Sequence, residues 1–257
     1  MSQPIHDAAQ RGYTLAPDSY QRGRPEYPQA LGGWLGAVLG VRQGAQVVDL
    51  GAGTGKFTQL LARTGAAVTA IEPVDAMRAK LAESLPGVRT LAGTAEAMPL
   101  LDGEADVLIC AQAFHWFANA QALREMHRVL KPGGRLGMVW NVRDESCDWV
   151  AAITEIITPY EGDAPRYYTG QWKRPFEGQA LFAPLQLTEF PHRHEGSFEQ
   201  VVIDRIASVS FIAALPEQER QSVEAKLRAL QQRVAALREP VIAFPYVTQA
   251  WQAERLA

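Results

Sequence analysis

The sequence has little cysteine, no long apolar run and no excess of basic residues. Its two cysteines, Cys110 and Cys147, do not form a CxxC pair, which argues against a disulfide scaffold or a cysteine-rich zinc site. No apolar run approaches the roughly 20 residues that cross a bilayer. The N-terminus lacks the basic start and apolar stretch of a secretory signal. We therefore expect a cytoplasmic protein with no membrane partner and no bound metal.

The charge and composition narrow the class of protein further. A formal net charge of −3 argues against broad electrostatic binding to nucleic acid. Hydrophobic residues make up 47% and charged residues 21% of the chain, which is ordinary for a globular protein and excludes intrinsic disorder. A chain of 257 residues is near the upper size that one hydrophobic core serves. We predict one domain over residues 1–257.

Strand and helix patterns alternate through the first half of the chain. Short apolar segments predict strands over residues 46–50, 67–71, 88–91, 106–110 and 135–141, with helical patterns between most of them. This alternation with short links predicts a doubly covered, mostly parallel sheet. Further patterns predict a strand over 185–194, helices over 198–209 and 216–237, and a last strand over 239–250.

These patterns divide the predicted domain into four parts. Residues 1–45 are interpreted as an N-terminal arm and helix, and 46–142 as the core of the sheet. The aromatic, loop-rich stretch 143–184 is interpreted as a cap-like insertion over the carboxyl edge of the sheet. Residues 185–257 are predicted to complete the sheet.

The first predicted strand leads into the glycine loop Gly51-Ala-Gly-Thr-Gly55. A phosphate-binding P-loop would need one more residue before the lysine and a hydroxyl at Phe57. A dinucleotide fingerprint would need glycine where Lys56 stands. The remaining ligand that uses such a loop is S-adenosylmethionine, which has no pyrophosphate. It needs an acid for the ribose diol after the second strand, and Glu72 stands there, 21 residues beyond Gly51.

Five segments together resemble one family, the class I S-adenosylmethionine-dependent methyltransferases, and within it the small-molecule branch that includes ubiquinone and trans-aconitate methyltransferases. They are VVDLGAGTGKFT (47–58), IEP (71–73), GTAEAMPL (93–100), DVLICAQAFHWF (106–117) and LKPGG (130–134). The resemblance implies a Rossmann-like α/β fold with a seven-stranded, mostly parallel sheet, helices on both faces and an antiparallel last strand. It also implies that S-adenosyl-L-methionine is the cofactor.

The resemblance and the positions along the chain assign candidate roles. The cofactor-binding candidates are Arg24, Gly51, Ala52, Gly53, Glu72, Pro73, Thr94, Ala95, Glu96 and Gln112. The candidates for contact with the methyl acceptor are Tyr20, Tyr27, Phe114, Trp116 and Trp140. Asp49 is interpreted either as a residue that organises the loop or as a direct contact.

His115 is the candidate catalytic residue, because its ordinary pKa is nearest neutrality and it follows the buried fourth strand. Its alternative interpretation is a packing residue, since methyl transfer can proceed by placement alone. The segment after that strand lacks the Asn/Asp-Pro-Pro-aromatic pattern of many nucleic-acid and protein methyltransferases. Arg143, Arg166, Lys173 and Arg174 in or beside the insertion leave an anionic acceptor open.

The expected function is therefore transfer of a methyl group from S-adenosylmethionine to a small molecule. The alternative is a non-catalytic module that binds S-adenosylmethionine or its product. The glycine loop and Glu72 serve both hypotheses, whereas the aromatic residues after the fourth strand and in the insertion favour a substrate pocket.

Overall fold

A seven-stranded sheet organises the protein in the computed structural model, which describes residues 23–257. The order of the strands across the sheet is β3-β2-β1-β4-β5-β7-β6. The strands are β1 (Gln46–Leu50), β2 (Ala67–Ile71), β3 (Arg89–Leu91), β4 (Ala105–Ala111), β5 (Leu130–Arg143), β6 (Gln186–Gly196) and β7 (Ile242–Glu254).

The directions of the strands confirm the predicted fold class. Strands β1 to β5 pair in parallel. Strand β7 is antiparallel to both of its neighbours, β5 and β6. The last strand of the chain is therefore the one that runs against the others, as the family resemblance implies.

Helices cover both faces of the sheet. The α-helices are α1 (Ala30–Ala37), α2 (Lys56–Ala62), α3 (Asp75–Ser84), α4 (Ala120–Val129), α5 (Asp148–Ile157), α6 (Arg205–Ala207), α7 (Ser210–Ala213) and α8 (Glu217–Arg233). Helix α4 begins after Asn119, whose side chain caps it by accepting a hydrogen bond from the Ala122 N–H. Within residues 23–257, none of the helices is long and apolar enough to cross a membrane.

Strand β4 shows how the sheet separates two cores. Leu108 and Cys110 face one core, which includes residues of α4. Val107 and Ile109 face the other, which includes residues of α1 and α2. Because successive side chains of a strand point to opposite faces, an uninterrupted apolar run is what a strand covered on both sides requires.

The chain between β5 and β6 forms α5 and several 3₁₀ turns rather than further strands. Trp172, in the turn over Gln171–Phe176, is 2% exposed and packs on Trp140 of β5 with ring centroids 4.8 Å apart. This part of the insertion is therefore attached to the core by aromatic contacts.

Four predicted segments differ from the structure by several residues. The helix predicted over 216–237 ends at Arg233 and is followed by a 3₁₀ turn over Ala235–Arg238. Strand β5 begins five residues earlier and ends two later than predicted. Its earlier start includes the Lys-Pro-Gly-Gly segment, where the pairing of β5 with β4 is irregular. The helix predicted over 198–209 is a π-helical stretch, Glu199–Asp204, followed by the short α6. Strand β7 starts three residues later and ends four later than predicted, because it pairs along β5 as far as Glu254.

Candidate functional site

The glycine loop joins β1 to α2. Gly51, Gly53 and Gly55 have φ values of 71°, 59° and 89°, in the left-handed region that strains residues with a Cβ atom. A Cβ atom on Gly51 would lie 2.8 Å from the Cβ of Ala113, whereas one on Gly53 would meet the Met77 Sδ at 3.8 Å. Gly51 is therefore needed for packing against the segment after β4, and the backbone at Gly53 is the more open to a ligand.

Glu72 directly follows β2 and holds the loop. Its side chain accepts a hydrogen bond from the Gly53 N–H at 2.8 Å and another from the Val74 N–H at 2.9 Å. Burial raises the pKa of Glu72, while these two donors and Arg78 act in the opposite direction. Because each carboxylate oxygen has two acceptor sites, Glu72 can fix the loop and still accept hydrogen bonds from a ligand.

Asp49 lies beneath the loop and is fully buried. Its Oδ2 accepts a hydrogen bond from the Thr58 hydroxyl on α2 at 2.6 Å, which ties β1 to that helix. Burial raises the pKa of Asp49 to about 7, with the Thr58 hydrogen bond acting against the rise and the nearby Glu72 contributing to it. With no exposed surface, Asp49 fits the interpretation of a residue that organises the loop.

Residues 24–27 cross over the glycine loop. The Lys56 Nζ lies 3.0 Å from Glu26 Oε1 and also donates a hydrogen bond to the carbonyl of Arg24. Asn141 Nδ2, on β5, donates to the carbonyl of Glu26 at 2.9 Å. Lys56, at the position where a dinucleotide fingerprint needs glycine, therefore holds the arm over the loop.

Two adjoining cavities lie at the carboxyl ends of β1, β4 and β5. The first, here called the loop cavity, is lined by Arg24, Pro25, Tyr27, Gly51, Ala52, Gly53, Thr54, Lys56, Phe57, Ala111, Gln112, Asn141 and Arg205. The second, here called the aromatic cavity, is lined by Arg24, Gln112, His115, Trp116, Trp140, Asn141, Val142, Arg143, Glu145, Arg166, Tyr167, Tyr168, Arg205, Val209 and Ser210. It encloses about 740 Å³ of space, including solvent at its mouth.

Gln112 lies between the two cavities and lines both. Its φ of 59° makes it the one non-glycine residue with positive φ in the part of the chain that the structure describes. The backbone conformation is held by a 2.8 Å hydrogen bond from the Gln112 N–H to the Val139 carbonyl. Such strained residues concentrate at functional sites, where the surrounding structure enforces them.

The contact between His115 and Trp140 determines what His115 can do. Trp140 Nε1 donates a hydrogen bond to His115 Nδ1 at 3.1 Å. Because an indole nitrogen is only a donor, Nδ1 must be unprotonated, and the neutral imidazole carries its proton on Nε2. Burial, together with the positive charges of Arg166 and Arg24, lowers the pKa of His115 to about 3. His115 is therefore arranged as a neutral hydrogen-bond donor rather than as a general base.

We expect the variant His115→Gln to remain active, with kcat reduced by less than about tenfold. Loss of a general base would cost about two to four orders of magnitude. Glutamine keeps an acceptor for the Trp140 indole, so the fold should survive. The pH profile of kcat between pH 5 and 8 should be the same for the variant and the wild type. A missing ionisation step near neutrality, together with a thousandfold loss of kcat, would restore the general-base role.

The same variant should change how stability depends on pH. His115 has a pKa of about 3 in the folded protein and an ordinary value of 6.5. Between these values the unfolded chain binds the proton that the folded protein does not. The contribution of neutral His115 to stability is therefore present above pH 6.5 and is lost as the pH falls toward 3. Urea unfolding at pH 7 and pH 5 should show a smaller loss for His115→Gln than for the wild type.

The structure places the residues predicted to contact the methyl acceptor in different surroundings. Trp116 and Trp140 line the aromatic cavity with His115, whereas Tyr27 lines the loop cavity and packs edge-on against Phe57. Phe114 does not reach either cavity: it has no exposed surface, because the 3₁₀ turn after β4 directs it into the core. The prediction of Phe114 as an acceptor contact is wrong for that reason. Tyr20 lies outside the described residues.

Three of the cofactor-binding candidates, Thr94, Ala95 and Glu96, follow β3. Ala95 is buried in the core, and Glu96 accepts a hydrogen bond from Asn119 Nδ2 at 2.8 Å. Thr94 Oγ1 is buried with no hydrogen-bond partner in the described part of the chain. The Glu72 N–H bonds to the Leu91 carbonyl at 3.1 Å, which keeps this segment beside the end of β2. Pro73 follows Glu72 directly, and its cofactor role stays a prediction.

Sequence reasoning missed two residues that line both cavities, Asn141 and Arg205. Asn141 was recognised as the end of a strand, and its side chain bonds the arm and accepts from the Thr248 hydroxyl at 2.6 Å. Arg205 lies within the apolar run VVIDRIASV, and a single arginine in such a run could have indicated a functional residue. Of the basic residues noted near the insertion, Arg143 and Arg166 line the aromatic cavity. Lys173 lies over the Trp251 ring instead.

Comparisons with known proteins agree on one family. Residues 48–138 match the family model described as a methyltransferase domain. The chain is 35% identical over 238 residues to an uncharacterised methyltransferase-like protein of Schizosaccharomyces pombe, and the alignment covers 92% of each chain. It is 39% identical over 236 residues to an uncharacterised methyltransferase of Mycobacterium tuberculosis, and that alignment covers 90% of each chain. The fold is similar to that of phosphoethanolamine N-methyltransferase 2 of Haemonchus contortus, solved in complex with S-adenosyl-L-methionine. That match has a TM-score of 0.55 and 12% identity, and it covers 99% of this chain and 59% of the other.

Proposed function

This chain belongs to the class I S-adenosylmethionine-dependent methyltransferases, and we propose that it transfers a methyl group from S-adenosylmethionine to an oxygen, nitrogen or carbon atom of a small molecule. The observation that carries the proposal is the adjacency of the two cavities. One is formed on the glycine loop, the other has aromatic walls, and Gln112 and Asn141 line both. Ligands of such open sheets bind beyond the carboxyl ends of the strands, where both cavities lie.

The residues present fit this cofactor. The left-handed backbone at Gly53 leaves space on its cavity side, and Glu72 keeps acceptor capacity for a ribose diol. The buried Thr94 Oγ1, without a partner in the described chain, can donate to or accept from an adenine ring. We assign the methionine part to the loop cavity, beside Ala52 and Arg24.

When bound, the cofactor supplies an activated methyl group on a sulfonium. This chain's own residues then have to orient the acceptor and exclude water. Trp140 and Tyr167 pack with ring centroids 4.5 Å apart and form one wall of the aromatic cavity. Orientation of two reactants in this way can supply several kcal/mol of the barrier reduction. The neutral His115 can add a hydrogen bond to the acceptor but does not need to remove a proton.

The deciding experiment is transfer of labelled methyl from S-adenosylmethionine into a metabolite extract. Labelled product together with S-adenosylhomocysteine is expected. Calorimetric binding of S-adenosylhomocysteine without any transfer would favour the non-catalytic binding module. Absence of binding, or micromolar NADH binding that competes with S-adenosylhomocysteine, would contradict the choice of cofactor.

We expect Glu72→Gln to weaken binding of S-adenosylhomocysteine by about ten- to a hundredfold, because a charged acceptor is lost from the ribose site and from the loop. Isothermal titration calorimetry measures this change. The matched control is Glu104→Gln, at a site away from both cavities. The Glu104 carboxylate also accepts hydrogen bonds from a backbone N–H, that of Leu101, and from an arginine side chain. The control should bind normally. Equal affinity of the folded Glu72→Gln variant and the wild type would show that Glu72 is not part of the cofactor site.

A further inference from the structure

Among the described residues, the aromatic cavity is lined by more positive than negative side chains. Four arginines from four separate segments line it: Arg24, Arg143, Arg166 and Arg205. Among the described residues, the carboxylates that act on Arg143, Arg166 and Arg205 are Glu145, which lines the cavity, and Glu161, which lies 2.7 Å from the Arg166 Nε. With Arg24 left aside, these three cations and two carboxylates leave an excess of one positive charge.

Arg205 is the most enclosed of the four, at 7% exposed. Its Nε donates a hydrogen bond to the Tyr246 hydroxyl at 3.0 Å, while its Nη1 is buried with no hydrogen-bond partner in the described chain. Burial, together with the charges of Arg24 and Arg143, lowers the pKa of Arg205 to about 10. A buried cation with an unsatisfied donor and no paired carboxylate is costly, and an anionic oxygen bound at Nη1 would relieve that cost.

Arg143 lines the aromatic cavity but not the loop cavity, so its charge bears on the binding of the acceptor rather than of the cofactor. Arg24 and Arg205 line both cavities, so the cofactor's own carboxylate could bind them. Arg143 and Arg166, however, line the aromatic cavity and are absent from the lining of the loop cavity. In the described chain, the Arg143 guanidinium forms no ion pair within 4.0 Å. A charge in the aromatic cavity therefore remains for a second ligand.

We infer that the methyl acceptor is a small organic anion, a carboxylate or a phosphate, whose charged oxygens are held by Arg143, Arg166 and Arg205. This inference rests on the function proposed above. Guanidinium groups bind both kinds of oxyanion through paired N–H donors. The Nε2–H of His115 is a further donor on the same cavity, and the rings of Trp140 and Tyr167 hold an apolar or flat part of the acceptor. An anionic acceptor thus matches both the positive charge and the aromatic walls of the aromatic cavity.

The test fractionates a metabolite extract by anion exchange and assays each fraction for transfer of labelled methyl from S-adenosylmethionine. The acceptor should be retained with the anions. Treatment of that fraction with phosphatase before the assay separates the two sources: loss of acceptor activity identifies a phosphate, and survival identifies a carboxylate. Label that enters only neutral or cationic compounds would overturn the inference. No transfer in any fraction would instead count against the proposed function.

Variants test the residues. With the acceptor fraction in limiting amount, Arg143→Met should lower methyl transfer at least about tenfold, because it removes a charged donor while keeping the length of the side chain. Arg143→Lys should restore part of that loss. Arg174→Met, in the same part of the chain but exposed and outside the cavity, is the matched control and should transfer normally. All three should bind S-adenosylhomocysteine as the wild type does, which shows that the fold and the loop cavity are intact. Normal transfer by Arg143→Met would contradict the assignment.

Discussion

Replacing Gly53 with valine should abolish measurable binding of S-adenosylhomocysteine, with an increase in dissociation constant of more than about a hundredfold. Gly53 has a φ of 59°, a conformation that costs a residue with a Cβ atom about 1–2 kcal/mol and a β-branched residue more. A valine side chain there would also extend from a Cβ that lies 3.8 Å from the Met77 Sδ and would disturb the 2.8 Å hydrogen bond from the Gly53 N–H to Glu72. Both effects act on the ligand site, so calorimetry should show little or no heat of binding.

The matched control for this variant is Gly44→Val. Gly44 has a φ of 80°, and a Cβ atom there would meet nothing within 4 Å. It therefore reproduces the backbone strain away from the site, and it should lower stability without changing affinity. Gly51 is less suitable for the test, because its Cβ would lie 2.8 Å from Ala113 and disturb packing whatever the ligand does. A folded Gly53→Val variant with wild-type affinity would show that the loop is not the cofactor site.

Trp172→Ala should lower the free energy of unfolding by about 3–5 kcal/mol, the usual cost of deleting a buried tryptophan from a packed core. Trp172 is 2% exposed, and its ring lies 4.8 Å from that of Trp140, 5.5 Å from that of Tyr167 and 5.4 Å from that of Trp251. Its removal would leave a cavity behind the wall formed by Trp140 and Tyr167. Urea unfolding followed by circular dichroism measures the change.

Leu101→Ala is the control for that measurement, because Leu101 is 77% exposed and its truncation opens no cavity. It should change the free energy of unfolding by less than about 0.5 kcal/mol. If Trp172→Ala were equally mild, the stretch 143–184 would not be packed on the core in solution. Its role as a cap over the active site, which we propose from these contacts, would then fail.

Local sequence patterns determined the first five strands, the glycine loop and the position of Glu72. These features depend on short-range rules: an apolar run forms a covered strand, and glycines permit a left-handed turn before a helix. Each can be recognised without knowing which segments meet. The antiparallel last strand came from the family resemblance instead, since neither its direction nor its place between β5 and β6 is visible in its own residues.

Local patterns were less reliable where a role depends on which way a side chain points. Phe114, His115 and Trp116 are consecutive, yet the 3₁₀ turn places Phe114 in the core and the other two on the aromatic cavity. The reactivity of His115 depends on Trp140, 25 residues away, because the hydrogen bond from the indole selects the tautomer. A sequence names both residues but does not state that contact.

The sequence by itself thus determined the fold class, the loop and the acid that accompanies it, because each follows from residues close together in the chain. The tertiary structure alone decided the character of the second cavity. Its arginines, at positions 24, 143, 166 and 205, come from the arm, the end of β5, the turns after α5 and the short α6. They meet because the order of the strands brings those segments to one edge of the sheet. Only that assembly turns four separate charges into a single site.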